Sequence, residues 1–232
     1  MRLAILRSAD SRGGGATVRD GVPADGVAVT EPAAKPPLGE RRKTALRLEI
    51  AREAVRLFTS QGVTGTTGDQ IAQAVGISTR TLWRHFPSKE GCVRPLLTSG
   101  LDAATDALRH WPPGIPLLEF LTSASRHGNL PTADPAVLDL IRMTLNEPAL
   151  RAVWLQAHDD ALPVLAELLA RRSGRSADEL RVKVHAATIN GALRAAAEDF
   201  AVRYAEDPDA SDGELAACLH AALRAATEGL PY

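Results

Sequence analysis

Hydrophobic positions recur at helical spacing along most of the chain, beginning near Thr44. In the first of these stretches the apolar side chains fall at i, i+1, i+4, i+5 and i+8, which is one face of an α-helix. They are Ile50, Ala51, Ala54, Val55 and Phe58. Gly62 follows, and glycine tolerates the left-handed conformation in which many helices end. The pattern therefore predicts a first helix from about Thr44 to Gly62.

Two short helices are predicted directly after it. Thr67 and Gln70 stand at the spacing of a capping box, in which each side chain bonds the other residue's backbone N–H, so a second helix begins at Thr67. Gly76 ends that helix, and after a single intervening residue Ser78 is a good N-cap for a third helix. Pro87, which lacks a backbone N–H, ends the third helix.

The third helix carries hydrogen-bond donors where a packed helix would carry apolar side chains. Only Leu82 and Phe86 are expected to face inward, and the other side chains are Thr79, Arg80, Thr81, Trp83, Arg84 and His85. Two helices that are joined by a tight glycine-containing turn and packed on a preceding helix form a helix-turn-helix, whose second helix contacts phosphates and base edges of DNA. An ordinary helical hairpin in an all-α core is the alternative.

Helices are predicted throughout the remainder of the chain, and no segment shows the alternation of a β-strand, so the fold class is all-α. A fourth helix follows a Ser88 cap, and Pro95 must either kink it or restart it. The later helices are predicted over 115–126, from the Asp134-Pro135 pair onward, from an Asn146 cap to about Arg172, from a Ser176-Glu179 capping box to about Tyr204, and from Ser211 onward.

Charge is distributed unevenly along the 232 residues, although the net charge is only −1. Residues 39–94 carry ten basic and five acidic side chains, whereas residues 95–232 carry twelve basic and nineteen acidic ones. A basic segment followed by a larger acidic one is typical of a DNA-binding module joined to a domain that stays off DNA. Residues 1–38 are rich in Gly, Ala, Pro and Asp without apolar periodicity, which predicts a disordered arm. The predicted domains are therefore 1–38, 39–94 and 95–232.

The sequence gives less support to a secreted protein, a membrane protein or an enzyme. The apolar run at the start is too short for a signal peptide, and no stretch of about 18 apolar residues exists, so we expect a cytoplasmic protein without membrane contact. Cys92 and Cys218 lack CxxC spacing and are expected to be free thiols. There is no GxSxG, GxGxxG, Walker or HExxH motif, so we expect neither an enzyme nor a cofactor. A helical enzyme and a protein-interaction adaptor without DNA binding remain the alternatives.

Residues 67–90 resemble the N-terminal domain of TetR-family transcriptional regulators. The stretch TGDQIAQAVGISTRTLWRHFPSKE has the family's Thr-initiated helix, its Ile-Ala pair, its Gly-Ile-Ser turn and its His-Phe-x-x-Lys-Glu ending. The likeness covers about residues 44–95. It implies an N-terminal three-helix helix-turn-helix domain and a C-terminal helical domain for ligand binding and dimerisation. The implied function is a regulator, expected to be a repressor, that binds a palindromic operator as a homodimer and is released by a small molecule.

The resemblance also implies roles toward double-stranded operator DNA. Thr67 and Lys89, at the starts of the second and fourth helices, would bind phosphates. Trp83 stands where the family usually has Tyr, and its indole N–H donates a hydrogen bond but cannot accept one. The candidates for base edges and nearby backbone are Thr79, Arg80 and Thr81. Ser78, Arg84 and His85 are further candidates for DNA binding, and Arg41, Arg42 and Lys43 could reach flanking DNA. Solvated charge is the alternative for Arg84, and helix packing is the alternative for His85.

A homodimer is expected because one helix-turn-helix makes too few contacts for strong specific binding. Two-fold dimers place their recognition helices about 34–36 Å apart, in successive major grooves. We expect the interface on the last two long helices, over 176–204 and 211–228, because small residues there permit close helix approach. These residues are Ala186, Ala187, Ala192, Ala195, Ala222 and Ala226. The alternative is that they fill the core of the monomer.

The effector is an unidentified small molecule, for which the resemblance implies a pocket among the middle helices. Candidate lining residues are Trp111, Phe120, His127, Met143, Trp154, His158 and Asn190. Plain core packing is the alternative for each of them. His158 precedes Asp159 and Asp160, but adjacent helical residues point in different directions, so no metal site is expected.

Overall fold

The computed structural model describes residues 37–126, 134–206 and 212–228. Its α-helices, numbered in chain order, are α1 Leu38–Gly65, α2 Gly68–Ala74, α3 Thr79–His85, α4 Arg94–Arg109, α5 Leu117–Arg126, α6 Pro135–Asn146, α7 Pro148–Ser173, α8 Leu180–Glu206 and α9 Asp212–Glu228. A 3₁₀ turn, Glu90–Val93, precedes α4. The described ranges contain no β-strand, which confirms the all-α fold class. Residues 1–36 of the predicted arm, the candidate His127 and the predicted cap Ser211 lie outside them.

Side-chain caps determine where the short helices begin, as the sequence predicts. Thr67 Oγ1 accepts a hydrogen bond from the Gln70 backbone N–H (3.2 Å), and Gln70 Oε1 accepts one from the Thr67 N–H (2.8 Å), so the capping box at the start of α2 is confirmed. Ser78 Oγ accepts from the Thr81 N–H (3.2 Å) at the start of α3. Asp134 caps α6 in the same way, with Pro135 in its first turn.

The first helix is longer than its hydrophobic pattern. It begins at Leu38, six residues before the predicted start at Thr44, and its exposed first two turns carry no apolar face that could have marked them. Gly62 has φ 78° and ψ 157°, and the regular helix breaks there, as its position predicts. Thr66, just after α1, is buried.

Pro95 restarts the fourth helix rather than kinking it. The residue lies in the first turn of α4, where its missing N–H has no intrahelical partner to lose. Before it, Ser88 Oγ accepts a hydrogen bond from the Gly91 N–H (3.0 Å) and opens the 3₁₀ turn instead of an α-helix. The chain therefore leaves the helix-turn-helix through a tight turn and enters α4 at Arg94.

Two later boundaries were predicted wrongly. Asn146 is the last residue of α6 and does not cap α7, which begins at Pro148 because proline favours the first helical position. The predicted helix start at Ser176 is a turn, and α8 begins at Leu180. Glu179 Oε1 does accept from the Ser176 N–H (3.1 Å), but Ser176 Oγ accepts from the Asp178 N–H (3.2 Å), so the capping box is incomplete.

The hydrophobic core is continuous from the first three helices into the rest of the protein. One buried cluster joins Phe58 of α1, Ile71 of α2 and Leu82 of α3 to residues of α4, α6, α7, α8 and α9. A second cluster joins the end of α4 to the later part of α7, the first part of α8 and α9, around Leu108 and Leu165. Residues of α1, α6 and α7 therefore belong to the same close-packed core. No helix of the described ranges is long and apolar enough to cross a membrane.

Candidate DNA-binding surface and effector region

The turn between α2 and α3 aims one side of α3 away from the core. Gly76 has φ +69°, a backbone conformation that glycine adopts without strain, and Ser78 caps α3 two residues later. Leu82 and Phe86, at i and i+4, are 0% and 3% exposed and attach the helix to the core. The other side of the helix faces outward, and its exposed or half-buried side chains are Ser78, Thr79, Arg80, Thr81, Trp83, Arg84 and His85.

The two arginines of α3 are free for a partner, whereas a neighbouring hydroxyl is engaged. Thr79 Oγ1 donates to Asp69 Oδ1 of α2 (2.5 Å), which links the two helices of the motif. Within the described residues, neither Arg80 nor Arg84 has a side-chain hydrogen bond or ion pair, and both side chains are exposed. A guanidinium carries five N–H donors in a fixed fork, which matches phosphate oxygens and the O6/N7 edge of guanine. The arrangement leaves these donors available for DNA.

Trp83 lies over the start of α2. A Cβ atom on Gly68 would lie 2.1 Å from Trp83 Cζ2 and 2.5 Å from Cη2, so only glycine fits beneath the indole. The ring remains 44% exposed, and among the described residues its Nε1–H has no acceptor. The indole thus braces α3 against α2 and keeps one donor available at the surface. Thr67, directly before Gly68, is exposed beside it.

A basic rim surrounds the end of α3. Arg47 of α1 places its guanidinium carbon 5.0 Å from the centroid of the Phe86 ring. Burial lowers the pKa of His85, and the positive charges of Arg84, Arg47 and Lys43 lower it further. His85 is therefore a half-buried, neutral side chain among cations. Arg41 and Arg42, which precede Lys43 in the first turn of α1, are exposed, and their contact with flanking DNA stays a prediction.

Lys89 has protein partners of its own. Its ammonium donates to the backbone carbonyls of Val63 (2.6 Å) and Thr66 (2.8 Å), at the end of α1 and the approach to α2. It also lies before a 3₁₀ turn rather than at the start of an α-helix, so the expected support from a helix dipole is wrong. An ammonium has three donors; two are occupied by these carbonyls, and Glu90 Oε1 also lies 4.0 Å from the nitrogen. The phosphate contact stays a prediction that rests on the third.

Sequence reasoning missed three residues of this surface. Arg47 covers the Phe86 ring, Asp69 accepts the Thr79 hydrogen bond, and Gly68 makes room for the Trp83 ring. Each depends on a contact between two helices, which hydrophobic spacing within one helix does not reveal. A glycine at the first position of a capped helix, where it lowers helix propensity, was the one available signal.

Comparison with known proteins agrees with this geometry. Residues 50–96 match the sequence profile of the "Bacterial regulatory proteins, tetR family", and residues 116–231 match that of the "MftR C-terminal domain". TcmR, an HTH-type transcriptional regulator of Streptomyces glaucescens, is 32% identical over 152 residues, which cover 62% of this chain and 67% of TcmR. The chain belongs to the TetR family of bacterial transcriptional regulators. It is therefore a ligand-responsive transcriptional regulator with a DNA-binding helix-turn-helix.

Two further relatives extend the likeness over most of this TetR-family chain. MftR of Mycobacterium tuberculosis, named for mycofactocin biosynthesis, is 29% identical over 165 residues, covering 70% of this chain and 83% of MftR. The structure of the fatty acid degradation regulator FadR from Bacillus halodurans matches with a TM-score of 0.51 and 19% identity, covering 86% of this chain and 99% of that one. At that identity the structural match supports the fold alone.

The candidate effector residues of this TetR-family protein fall into separate groups. Trp111 and Phe120 stack with ring centroids 6.2 Å apart, and the Arg172 guanidinium lies 4.1 Å from the Trp111 ring. Trp111 Nε1 donates to the Ile115 carbonyl (2.8 Å), and Arg172 also donates to that carbonyl (3.2 Å). This group ties the segment between α4 and α5 to the end of α7. Its polar atoms are satisfied internally, as the packing alternative predicts.

The second group lies between α7 and α8. Trp154 and His158 of α7 are buried and contact each other edge to face, with ring centroids 4.2 Å apart. Trp154 Nε1 donates to Glu198 Oε1 of α8 (2.8 Å), and His158 pairs with the buried Asn190. Met143 of α6 is half-buried against the first core cluster. Among the described residues, these contacts place the candidates in separate groups, and their role toward an effector stays a prediction.

Two ion pairs connect the helix-turn-helix with the C-terminal helices. Arg52 of α1 lies 3.4 Å from Asp134, the residue that caps α6. Arg94, at the start of α4, pairs with Asp160 of α7. Both pairs are partly exposed, where ion pairs contribute little stability. Their position matters more, because each joins a helix of the DNA-binding part to one of the helices beside the effector candidates.

Proposed function

We propose that the protein is a repressor that binds a palindromic operator as a homodimer, is released by a small molecule, and acts through binding alone rather than as an enzyme. The exposed side of α3, with the unengaged guanidinium groups of Arg80 and Arg84, carries this proposal. Only two buried side chains attach α3 to the core, and its two guanidinium groups have no partner among the described residues. Such a helix is suited to enter a major groove of DNA. The basic rim around His85 adds contacts to the flanking phosphates.

The outer faces of α8 and α9 support the homodimer. Leu180 is 76% exposed and Val184 is 50% exposed, and Ala187 and Ala195 continue the same side of α8. Of the other predicted interface residues, Ala186 is buried in the monomer core, and Ala192, Ala222 and Ala226 are half-buried. Exposed apolar and small residues along α8, beside the half-buried alanines of α9, suit a four-helix dimer interface.

Release by an effector would use the contacts between the two parts of the chain. A ligand that binds between the C-terminal helices and shifts α6 or α7 would move α1 through the common core and the Arg52–Asp134 pair, and α4 through the Arg94–Asp160 pair. A small change in angle at α4 alters the spacing of the two α3 helices in a dimer. The ligand then favours the state in which that spacing no longer fits the operator.

Gel-shift titration of the purified chain on the DNA upstream of its own gene tests the proposal. We expect a sequence-selective complex whose affinity falls linearly with the logarithm of the salt concentration, because phosphate contacts release counterions. Genomic fragments selected by the immobilised protein supply operators located elsewhere. Sedimentation at micromolar protein concentration should give the mass of two chains. An enzyme or an adaptor would yield no selective complex in either assay, and a single-chain mass would contradict the dimer.

A further inference from the structure

A hydrogen bond between α2 and α3 places a carboxylate at the start of the recognition helix. Thr79 Oγ1 donates to Asp69 Oδ1 at 2.5 Å, and this bond lies at the surface of the protein. Asp69 is in the first turn of α2 and is exposed, and Thr79 is the first residue of α3 and is half-buried. The first residues of a recognition helix are the ones that contact base edges in the major groove.

The Asp69–Thr79 pair presents acceptors and no side-chain donor. A threonine hydroxyl has a single O–H, and in this structure it is committed to Asp69. The ionised carboxylate of Asp69 can only accept hydrogen bonds. Its second oxygen, Oδ2, has no hydrogen-bond or ion-pair partner among the described residues. An exposed, negatively charged acceptor therefore remains available beside α3.

The neighbouring side chains of α3 have the opposite character. Arg80, Trp83 and Arg84 supply donors on the outward side of the helix, and none of these donors has a partner in the described structure. The cations attract phosphates of any DNA sequence and so favour binding in general. The anion Asp69 repels phosphates, which weakens binding in general. Asp69 is favourable at this surface only where the DNA offers it a hydrogen-bond donor.

The major groove contains few groups that can meet this requirement. Phosphate oxygens, guanine N7 and O6, adenine N7 and thymine O4 are all acceptors. The donors are the N4 amino group of cytosine and the N6 amino group of adenine. Each base pair presents one of these amino groups, at a place in the groove that differs among the four pairs. A carboxylate fixed in space therefore selects the pair whose amino group reaches it.

We infer that Asp69 accepts a hydrogen bond from the amino group of one base pair in each operator half-site and thereby selects that pair. Thr79 is a positioning residue, because its O–H holds the carboxylate at the start of α3. An acidic side chain thus adds specificity to a surface whose cations supply affinity. This role rests on the proposed binding of a palindromic operator and names one element of its sequence recognition.

Selection of DNA from a random pool by the parent chain and by Asp69→Ala locates the base pair. We expect the two selected operators to match except at one position in each half-site, where the preference of the variant is at least about fivefold weaker. Glu49→Ala removes an exposed carboxylate of α1 and should preserve every preference of the parent chain. Identical preferences for the parent chain and Asp69→Ala overturn the inference, as does relaxation of the same position by Glu49→Ala.

Removal of the amino group from that base pair tests the hydrogen bond itself. Purine deoxyriboside replaces adenine, or 2-pyrimidinone deoxyriboside replaces cytosine, so the base loses only its amino group and the opposite strand is unchanged. The modified operator should bind the parent chain at least about fivefold more weakly, since an acceptor is left unpaired, and Asp69→Ala less than about twofold more weakly. An equal loss for both proteins, measured by anisotropy titration, overturns the inference.

Two substitutions at Thr79 test its positioning role. Thr79→Ser keeps the O–H that bonds Asp69 and should respond to removal of the amino group as the parent chain does. Thr79→Val lacks the O–H and should respond less than about twofold. A full response of Thr79→Val, or a lost response of Thr79→Ser, overturns the positioning role.

The outcomes for Asp69 are separate from those for the proposed function. If the parent chain forms no sequence-selective complex, operator binding itself fails. A selective complex whose base preferences do not depend on Asp69 leaves the proposed function standing and overturns only the inference.

Discussion

Arg80 tests whether α3 reads bases or only attracts DNA by charge. Its guanidinium is exposed and unengaged in the described structure, so replacing it with alanine removes donors without breaking a protein contact. We expect Arg80→Ala to weaken the specific complex by about 1–3 kcal/mol and to relax specificity at one position in each half-site. Anisotropy titrations against operators substituted one base pair at a time measure both effects.

Arg171→Ala is the matched control for this variant. Arg171 is an exposed arginine at the end of α7, away from the helix-turn-helix, and its loss should leave every operator affinity unchanged. If Arg80→Ala behaves like Arg171→Ala on all sequences, Arg80 does not read a base.

Lys89 should affect both stability and DNA binding. Replacement by methionine keeps the apolar stem but leaves the Val63 and Thr66 carbonyls without their ammonium donor. We expect a loss of about 1–3 kcal/mol in the free energy of unfolding, the usual cost of an unsatisfied buried polar group. Urea unfolding measures this loss.

The salt dependence of operator binding tests the second predicted role of Lys89, the phosphate contact, separately from its role in stability. If its third N–H contacts a phosphate, Lys89→Met should lower the affinity for every DNA sequence. It should also reduce the slope of log affinity against log salt concentration by about one. An unchanged unfolding free energy would contradict the role in stability, and an unchanged slope would contradict the phosphate contact.

His158 makes stability depend on pH in a defined direction. Burial lowers its pKa below the ordinary value of 6.5, so the unfolded chain binds a proton more readily than the folded one. Its contribution is complete above about pH 6.5 and is lost as the pH falls through the folded-state pKa. Urea unfolding from about pH 7.5 to about pH 5 should show stability falling more steeply for the parent chain than for His158→Gln. Parallel curves would contradict the account.

Packing between α2 and α3 is the element-scale feature that determines how the recognition helix is presented. The Trp83 ring occupies the space that a Cβ on Gly68 would need, at 2.1 Å from Cζ2. Gly68→Ala should therefore displace α3 relative to α2, lowering the thermal midpoint and operator affinity together. Truncation of the ring in Gly68→Ala/Trp83→Ala should restore the thermal midpoint. A midpoint that the second substitution does not raise would show that the two residues are not coupled.

The helix boundaries that could be predicted are those with local causes. Thr67, Ser78 and Asp134 cap their helices through bonds to backbone only two or three residues away, which spacing in the sequence reveals. Pro95 was compatible with either a kinked or a restarted fourth helix. The structure has the restarted helix, because a 3₁₀ turn lies directly before it. The start of α1 was missed because residues before Thr44 lie on the surface and add no hydrophobic periodicity.

The contacts that could not be predicted join residues distant in the chain. Lys89 bonds to carbonyls 26 and 23 residues away, and no motif links the members of such pairs. For the same reason the sequence could not show that Trp111 packs with Arg172, whereas His158 packs with Asn190.

At the scale of the whole molecule, the account requires two copies of α3 facing one side of a duplex. In the function that we propose, the exposed apolar side of α8 would join two chains, and the continuous core would carry a ligand-induced shift of α6 or α7 to α1. Both features act only through the geometry of the dimer, since one exposed seven-residue helix makes few DNA contacts. The position of α3 on DNA is therefore the central claim.

Affinity cleavage tests that claim most directly. An iron chelate attached to Arg84→Cys, on the outward side of α3, should cut operator DNA in two clusters about one helical turn, or 34–36 Å, apart. The same chelate on Arg171→Cys should give no localised cleavage, because residue 171 lies at the end of α7 that packs in the second core cluster, which contains no residue of α1, α2 or α3. Cutting by both variants alike, or none from position 84 in a complex that forms, would contradict the account.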